Sequence, residues 1–370
     1  MEKQLLIIRT DYLCQGGVKG IVISICLIIK KIIKLLQMCY NGNVFMESEN
    51  CIDIKENQLL KIDKDLLSIL LKDKTTDRNI IWATNNYRKH GEKYVFDKPI
   101  SIDLITSRNG NIIKPRIEKS KAEQQLRVKQ KAEVFSPSWI CNAQNNLVDE
   151  AWFCRKDVFN VEKEKGWETV TDKIVFPDKD KKTWTDYISQ KRLEVSCGEA
   201  PYLTSRYDAV TGEIIPVPER IGLLDRKLRI VNENTETKED WLKNAYIAVQ
   251  NTYGFDWQGD NVLIARENVL FTIIEHYKYK FKTDLETQDL VNFAKVIAWN
   301  IWQMDGIKFV IPNSCCTKTV IEETLFGTET ISTECEGCKK GNNFKHNGIY
   351  SKIKDWETHQ TIRFVDLMRG

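Results

Sequence analysis

The chain has 370 residues, of which 42% are hydrophobic and 29% are charged, enough apolar material for two domains or one large domain. Its 11 cysteines, an odd number spread irregularly through a long chain, argue against a disulfide framework and for a reducing cytoplasm. The net charge of +3 permits nucleic-acid binding but is too small to indicate it.

The first 45 residues contain an apolar run, residues 20–37, that bears on membrane association. Its part before the lysines, residues 21–29, is shorter than the roughly 20 apolar residues of a spanning helix. The run is a weak signal anchor, an amphipathic or core helix, or sequence upstream of a true start at Met38 or Met46. We expect no membrane partner and treat residues 1–45 as an extension outside the fold.

Residues 46–130 form a mixed N-terminal region. Leucines and isoleucines over residues 59–71 have the spacing of one amphipathic helix, and residues 76–118 alternate short apolar runs with turn signals. Residues 119–132 are predicted to be helical and are basic, with Lys119 and Arg127 among their cations. This helix is either a solvated face or a contact for DNA phosphates.

Strand-like and helix-like segments alternate between residues 131 and 310. This alternation predicts an α/β fold with a doubly wound, Rossmann-like core. Residues 311–370 lose the alternation and are expected to hold a Cys-rich segment and the last core strand. The predicted strands are residues 192–195, 222–231 and 253–257, and the predicted helices are residues 238–253, 261–279 and 287–303.

Residues 133–140, E-V-F-S-P-S-W-I, predict a turn before a helix. Ser136 can cap this helix, and Pro137 suits its first position. Phe135 comes directly before them.

Residues 193–203, L-E-V-S-C-G-E-A-P-Y-L, predict a strand running into a tight turn. Small residues such as Gly198, next to Cys197, let a cofactor approach the backbone, and Glu194 places an acid at the end of the strand. Ala200 adopts a left-handed backbone less readily than glycine does, which predicts an altered or strained turn.

Residues 253–257, Y-G-F-D-W, predict a second strand that ends in an acid. Such an acid accepts both ribose hydroxyls in doubly wound folds, so Asp256 is the candidate, with Trp257 placed to lie against an adenine ring. The interval from the glycine turn is far longer than the usual distance of about 20 residues. Residues 205–245 are therefore expected to be an insertion.

These three segments, in this order, resemble the cofactor motifs of N6-adenine DNA methyltransferases of restriction–modification systems. The family's patterns are a G-x-F-x-T-P turn, an L-D-P-A-C-G-S-G-x-F-L loop, and a strand ending in G-x-D/E before an A-x-x-N helix. The resemblance covers roughly residues 75–370. It implies double-stranded DNA as partner and S-adenosylmethionine as cofactor, bound through Phe135, Pro137, Glu194, Cys197, Gly198, Asp256 and Trp257.

The family's catalytic N-P-P-Y motif is missing from the sequence. In the family this loop holds a flipped adenine by hydrogen bonds and stacking. A third family motif, a strand ending in Asp near the adenine, has a candidate in residues 361–367 with Asp366 as the acid, although an ordinary terminal strand fits equally. We expect the catalytic or specificity part to lie in a second polypeptide or downstream, or to be lost.

The cysteines near the C-terminus suggest a metal site. Cys335 and Cys338 have the C-x-x-C spacing of a zinc knuckle, with a glycine that allows the turn around a metal. A structural zinc ion would take both, together with two of Cys315, Cys316 and His346. Unbound thiols and a redox pair are the alternatives.

The resemblance therefore implies the cofactor-binding part of a DNA adenine-N6 methyltransferase, split or truncated before its catalytic loop. The missing N-P-P-Y motif and the altered glycine turn favour an alternative, a non-catalytic DNA-binding or scaffold subunit. A restriction endonuclease subunit is the third possibility, because such families fuse both activities.

Overall fold

The computed structural model describes residues 56–131, 136–177, 182–324 and 327–369, and in this part the chain has a mixed α/β fold. The N-terminal extension, including the apolar run of residues 20–37, lies outside the described residues. Within the described ranges, none of the helices has the length and apolar character needed to span a membrane.

The N-terminal region begins with two helices instead of the single helix predicted over residues 59–71. The chain breaks at Asp63, whose carboxylate accepts a hydrogen bond from the backbone of Asp65 and so caps the second helix. The leucines of both helices are nonetheless buried. The elements of this region are α1 (Glu56–Ile62), α2 (Lys64–Leu71), β1 (Lys72–Asp73), β2 (Arg78–Asn79), α3 (Ile102–Ile105) and α4 (Lys121–Lys131).

A three-stranded parallel sheet lies at the centre of the fold. Its strands are β5 (Arg192–Val195), β6 (Thr252–Asp256) and β7 (Ile301–Gln303), in the order β5-β6-β7. All five residues of β6 are buried, as expected for the middle strand of a parallel sheet covered on both faces. The predicted strands at residues 192–195 and 253–257 are therefore confirmed as β5 and β6.

Two helices connect each pair of neighbouring strands. Helices α7 (Leu223–Asn234) and α8 (Lys238–Gln250) join β5 to β6, and α9 (Gly259–Phe281) and α10 (Thr287–Asn300) join β6 to β7. The strand predicted at residues 222–231 is wrong, because this segment belongs to α7. The expected insertion at residues 205–245 is largely helical connection, which explains the long interval after the glycine turn.

The two faces of the sheet are covered by different parts of the chain. All four connecting helices contribute to one large apolar cluster, which also contains α2. Tyr253, Phe255 and Trp302 point to the opposite face, where residues from the C-terminal segment, including Phe309 and Phe364, pack on them. The C-terminal segment is therefore part of the same folded body as the sheet.

A further unit packs beside β5. It consists of α5 (Ser138–Phe153), the antiparallel hairpin β3 (Asn160–Lys163) and β4 (Gly166–Thr169), and α6 (Trp184–Ile188). The amide of Asn145 on α5 donates to the carbonyls of Tyr202 and Ile221, and Asp149 forms a buried ion pair with Arg226 of α7. These bonds hold α5 against the segment that follows the glycine turn.

The C-terminal segment does not supply the last strand of the parallel sheet. Strand β11 (Thr361–Arg363) pairs antiparallel with β10 (Lys352–Lys354), and β7 is the third parallel strand. Of the two interpretations of residues 361–367, the core strand is therefore wrong and the ordinary terminal strand agrees with the structure: both ends of β11 are exposed, whereas β6 is buried throughout. The other elements here are the hairpin β8 (Lys318–Thr324) and β9 (Gly327–Thr333), and α11 (Glu336–Lys340).

Candidate cofactor edge and metal centre

The turn after β5 has an unusual backbone. Ser196, Gly198 and Ala200 all adopt positive φ angles, of 52°, 54° and 63°. Only glycine adopts this left-handed conformation without steric cost, so Ser196 and Ala200 are strained. The strained turn predicted from Ala200 is therefore present, and Ala200 is completely buried within it.

The glycine turn and the end of β6 are joined directly. The backbone N–H of Gly198 donates to Oδ2 of Asp256 over 3.0 Å, and the backbone N–H of Cys197 donates to the carbonyl of Phe255 over 2.8 Å. Oδ1 of Asp256 accepts from the backbone of Gln258 over 2.8 Å. The structure thus brings together Cys197, Gly198 and Asp256, which the sequence placed 58 residues apart.

Glu194 stabilises the segment that follows the glycine turn. Its two carboxylate oxygens accept hydrogen bonds from the backbone of Tyr202 and Leu203, at 3.4 Å and 3.2 Å. Burial raises the pKa of Glu194 well above its usual value, although these two hydrogen bonds oppose the shift. Its carboxyl group therefore points to the backbone of the segment that follows the turn.

The segment around Pro137 lies beside the glycine turn. The hydroxyl of Tyr202 donates to Oγ of Ser136 over 3.3 Å. Ser136 does not cap the helix as predicted: the N-cap is Pro137, and the backbone N–H of Ser138 donates to the carboxylate of Asp208 over 2.6 Å. Phe135 lies outside the described residues.

An N-terminal segment, residues 81–87, covers the carboxyl ends of β6 and β7. The indole N–H of Trp257 donates to the carbonyl of Ala83 over 3.2 Å. The side-chain amide of Gln303 both donates to the carbonyl of Ile81 and accepts from its N–H. Sequence reasoning missed this cover, because none of these residues carries a motif.

A buried charge cluster fixes the same region to α4. Oδ2 of Asp260 lies 2.7 Å from both Nη2 of Arg127 and the hydroxyl of Tyr87, and 3.7 Å from Nζ of Lys119. Burial alone would raise the pKa of Asp260, but Arg127 and Lys119 outweigh it and hold the pKa well below its usual value. Lys119 and Arg127 are buried, so phosphate contact is the wrong interpretation for these two cations.

Asp366 lies on the C-terminal segment, outside the parallel sheet. It follows β11 on a short 3-10 turn and forms ion pairs with Arg363 and Arg369, at 2.8 Å and 3.6 Å. The acid that follows the third parallel strand is Asp305, whose Oδ1 accepts from the backbone of Ile307 and Lys308. The reason is the strand assignment: residues 361–367 do not join the parallel sheet.

Four of the five predicted metal ligands meet at one point. Cys315, Cys335, Cys338 and His346 each offer a ligand atom, and these atoms all lie within 4.8 Å of one another. Nδ1 of His346 lies 3.6 Å from the sulfurs of Cys315 and Cys335 and 3.7 Å from that of Cys338, and the sulfurs of Cys315 and Cys338 are 3.6 Å apart. A tetrahedral zinc ion has ligand–ligand distances of about 3.5 to 3.8 Å, given its Zn–S and Zn–N bond lengths. The group could therefore hold a metal ion such as zinc.

Cys316 is not part of this group. Its side chain is exposed, and its backbone is held by the amide of Asn347, which accepts from the N–H of Cys316 and donates to its carbonyl. Of the three candidates Cys315, Cys316 and His346, the structure thus places Cys315 and His346 with Cys335 and Cys338.

Neighbouring groups affect the ionisation and the backbone geometry of the proposed ligands. The backbone N–H of Asn347 donates to the sulfur of Cys335 over 3.3 Å. Burial raises the pKa of Cys335, but hydrogen bonds from the backbone of Cys338 and Asn347 and from His346 outweigh it and lower the pKa to about 6. A Cβ on Gly337 would lie 2.6 Å from the backbone nitrogen of His346, so only glycine fits this turn. The surroundings therefore favour the thiolate of Cys335, which is the form that binds metal, whereas burial and the neighbouring Cys335 and Cys338 raise the pKa of Cys315 to about 12.

Comparison of the chain with protein-family models, with curated proteins and with solved structures gives no match in any of the three. The arrangement of the sheet edge and of the Cys and His side chains is therefore the basis on which function is inferred.

Proposed function

We propose that the chain binds S-adenosylmethionine at the carboxyl edge of β5, β6 and β7, as the cofactor-binding part of a DNA adenine-N6 methyltransferase of a restriction–modification system. The observation that carries the proposal is the hydrogen bond between the N–H of Gly198 and the carboxylate of Asp256. Ligands of open parallel sheets bind outside the carboxyl ends of the strands, and this bond joins the loops that follow β5 and β6 at that edge.

Asp256 is the residue proposed to bind the ribose of the cofactor. Oδ2 of its buried carboxylate accepts from the backbone of Gly198, and Oδ1 accepts from the backbone of Gln258 and, over 3.4 Å, from the side-chain amide of Asn261. The two backbone bonds also fix the orientation of the carboxylate, so that it is preorganised for two neighbouring hydroxyls. The role proposed for Asp256 is therefore ribose recognition.

The role proposed for the turn is close backbone approach to the methionine end of the cofactor. Gly198 has no Cβ, and the segment of Ser136 and Pro137 lies against the turn through Tyr202. S-adenosylmethionine supplies the methyl group, and the residues of this chain bind and orient it for an in-line displacement. The acceptor base would be held by a second polypeptide or a further segment that carries an N-P-P-Y motif.

Zinc is the metal proposed for Cys315, Cys335, Cys338 and His346. Three thiolates and an imidazole complete a tetrahedral set and leave no position for water or substrate, which is typical of structural zinc sites. Three thiolates around Zn²⁺ give a net charge of −1, and Lys308 lies close enough to Cys315 and Cys338 for their charge to raise its pKa, although burial opposes the shift. The proposed role of zinc is to fix the segment between Asn313 and Tyr350.

Calorimetric titration with S-adenosylmethionine tests the proposed cofactor site. We expect micromolar binding to the unmodified chain, and a loss of at least tenfold in affinity for Asp256→Ala. The matched control is Asp366→Ala, which removes a half-exposed carboxylate that lies on the C-terminal segment. It should bind as the unmodified chain does. Absence of binding at millimolar cofactor, or equal losses in both variants, would contradict the proposal.

One observation favours the second candidate, a non-catalytic DNA-binding or scaffold subunit. The carboxylates of Glu194 and Asp256 both accept hydrogen bonds from the chain's own backbone, as they do in a loop that is complete without ligand. The same titration separates the two functions, because a scaffold subunit binds no cofactor.

A further inference from the structure

One of the basic segments of the chain lies near its C-terminus. Residues 335–369 contain seven Lys and Arg against four Asp and Glu, an excess of three that equals the net charge of +3 of the whole chain. The preceding 334 residues are therefore neutral on balance. The small net charge of the chain therefore includes this basic segment, which contains three of the four proposed zinc ligands.

Four cations of this segment share two carboxylates, so their positive charge is only partly neutralised. Glu336 is shared by Lys340 and Lys345, whose Nζ atoms lie 3.0 Å and 2.9 Å from the same carboxylate oxygen. Asp366 is shared in the same way by Arg363 and Arg369. Each group of two cations and one carboxylate carries one net positive charge, and the four cationic side chains are between 43% and 63% exposed.

Two aromatic side chains connect these groups. The guanidinium of Arg369 lies over the ring of Phe344, 4.8 Å from its centroid, and that of Arg363 lies over the ring of Tyr350 at 5.3 Å. The hydroxyl of Tyr350 donates to the carbonyl of Asn343, directly before Phe344. Lys340, Lys345, Arg363 and Arg369, with the half-exposed ring of Phe344, therefore form one continuous surface, which we call the basic stripe.

The ligands of the metal centre fix the basic stripe. Lys340 follows Cys338 on α11, and Phe344 and Lys345 directly precede His346. The backbone N–H of His346 donates to the hydroxyl of Tyr350 over 2.8 Å, which ties the metal ligand to the ring beneath Arg363. A metal ion bound to Cys338 and His346 would thus fix the backbone beside Lys340 and Lys345 and, through Tyr350, the ring beneath Arg363.

We propose that the basic stripe is the surface by which this chain contacts the phosphate backbone of double-stranded DNA. Phosphates are bound chiefly by Arg and Lys, and a row of exposed cations held by rigid neighbours matches the spaced charges of a duplex. The choice of DNA rests on the proposed function, whereas the position of the stripe rests on the contacts above.

Fluorescence anisotropy with a labelled DNA duplex, measured over a range of salt concentrations, tests the stripe. The variant carries Lys340→Gln, Lys345→Gln, Arg363→Gln and Arg369→Gln. The control variant carries Lys156→Gln, Lys163→Gln, Lys165→Gln and Lys173→Gln. These substitutions remove four exposed cations between the end of α5 and the segment that follows β4. Both variants lose the same formal charge, so a difference between them reports position.

The stripe variant is expected to lose roughly tenfold or more in affinity, and its slope of log K against log salt should fall by about 3 to 4. The control variant should keep at least three quarters of the slope of log K against log salt that the unmodified chain shows. Equal changes in the two variants, or an unchanged slope in the stripe variant, would overturn the proposal. Zinc content measured on the same samples excludes misfolding, and the double variant Lys345→Gln, Arg369→Gln should still lower the slope by about 2.

Titration of the stripe variant with S-adenosylmethionine keeps this proposal separate from the cofactor site. We expect its cofactor affinity to equal that of the unmodified chain. If the unmodified chain bound DNA but not the cofactor, the result would support the stripe and reject the cofactor site. If it bound the cofactor but not DNA, the result would support the cofactor site and reject the stripe.

Discussion

The N–H of Gly198 donates to the carboxylate of Asp256 across 3.0 Å, and this bond depends on the left-handed backbone of Gly198 at φ 54°. The turn after β5 and the acid at the end of β6 are thereby one unit. A change in the backbone at Gly198 is expected to disturb the orientation of Asp256, although the two residues lie on different strands.

Gly198→Ala is therefore predicted to weaken both stability and cofactor binding. A left-handed L-residue costs roughly 1–2 kcal/mol, partly offset by a lower entropy of the unfolded chain, so the net loss should be about 1 kcal/mol. Urea unfolding measures this loss, and calorimetry measures the cofactor. Gly166→Ala in β4 is the control, because its φ is outside the left-handed region and a Cβ there meets nothing within 4 Å. Equal effects of the two substitutions would refute the dependence on the turn.

The metal centre gives a second prediction, in which a proposed ligand, Cys338, is the test and an exposed cysteine outside the group, Cys316, is the control. Elemental analysis should find about one zinc ion per chain in the unmodified protein and in Cys316→Ser, and far less in Cys338→Ser. The reason is that the sulfur of Cys338 lies among the four ligand atoms, whereas Cys316 is held only through its backbone. A chelator should lower the unfolding midpoint of the unmodified protein, because metal bound only to the folded state stabilises it.

A zinc ratio near zero in the unmodified protein would contradict the metal centre. If Cys338→Ser kept its zinc and Cys316→Ser lost it, the ligand would be Cys316 and not Cys338.

The chemistry of the metal site was largely predictable from spacing, but the choice between Cys315 and Cys316 was not. A C-x-x-C pair with a central glycine indicates a metal turn from sequence alone. Two adjacent cysteines are equivalent at that level, because either could reach the same point. The hydrogen bonds between Asn347 and the backbone of Cys316, 31 positions apart, determine which cysteine joins the group. No local sequence pattern predicts these bonds.

The fold was predictable where a segment had only one apolar pattern. The strands β5 and β6 were placed correctly, because each is a short segment that ends at a turn. Residues 222–231 were placed wrongly, since their apolar residues also fit a helical face that packs on the core, as Leu224, Leu228 and Val231 do. The cover formed by residues 81–87 depends on contacts across more than 170 positions, which no local pattern encodes.

The ion pair of Asp260 with Arg127 is predicted to hold α4 on the core. Asp260→Asn leaves Arg127 and Lys119 buried beside a neutral side chain, and breaking such a pair typically costs about 3–5 kcal/mol. Urea unfolding should show this loss at neutral pH. The control is Asp284→Asn, which breaks an exposed ion pair with Lys278 and should leave the unfolding free energy almost unchanged.

The same substitution should remove a specific pH dependence of stability. The pKa of Asp260 in the folded chain lies below its usual value of 3.8, so its ionised form stabilises the fold above that pH. As pH falls below 3.8, the unfolded chain takes up a proton that folded Asp260 resists, and the stabilisation declines. The difference in unfolding free energy between the unmodified chain and Asp260→Asn should therefore narrow between pH 4 and pH 2, by up to about 1.4 kcal/mol per pH unit. A difference that stays constant over this range would mean that Asp260 is not the anion paired with Arg127 and Lys119.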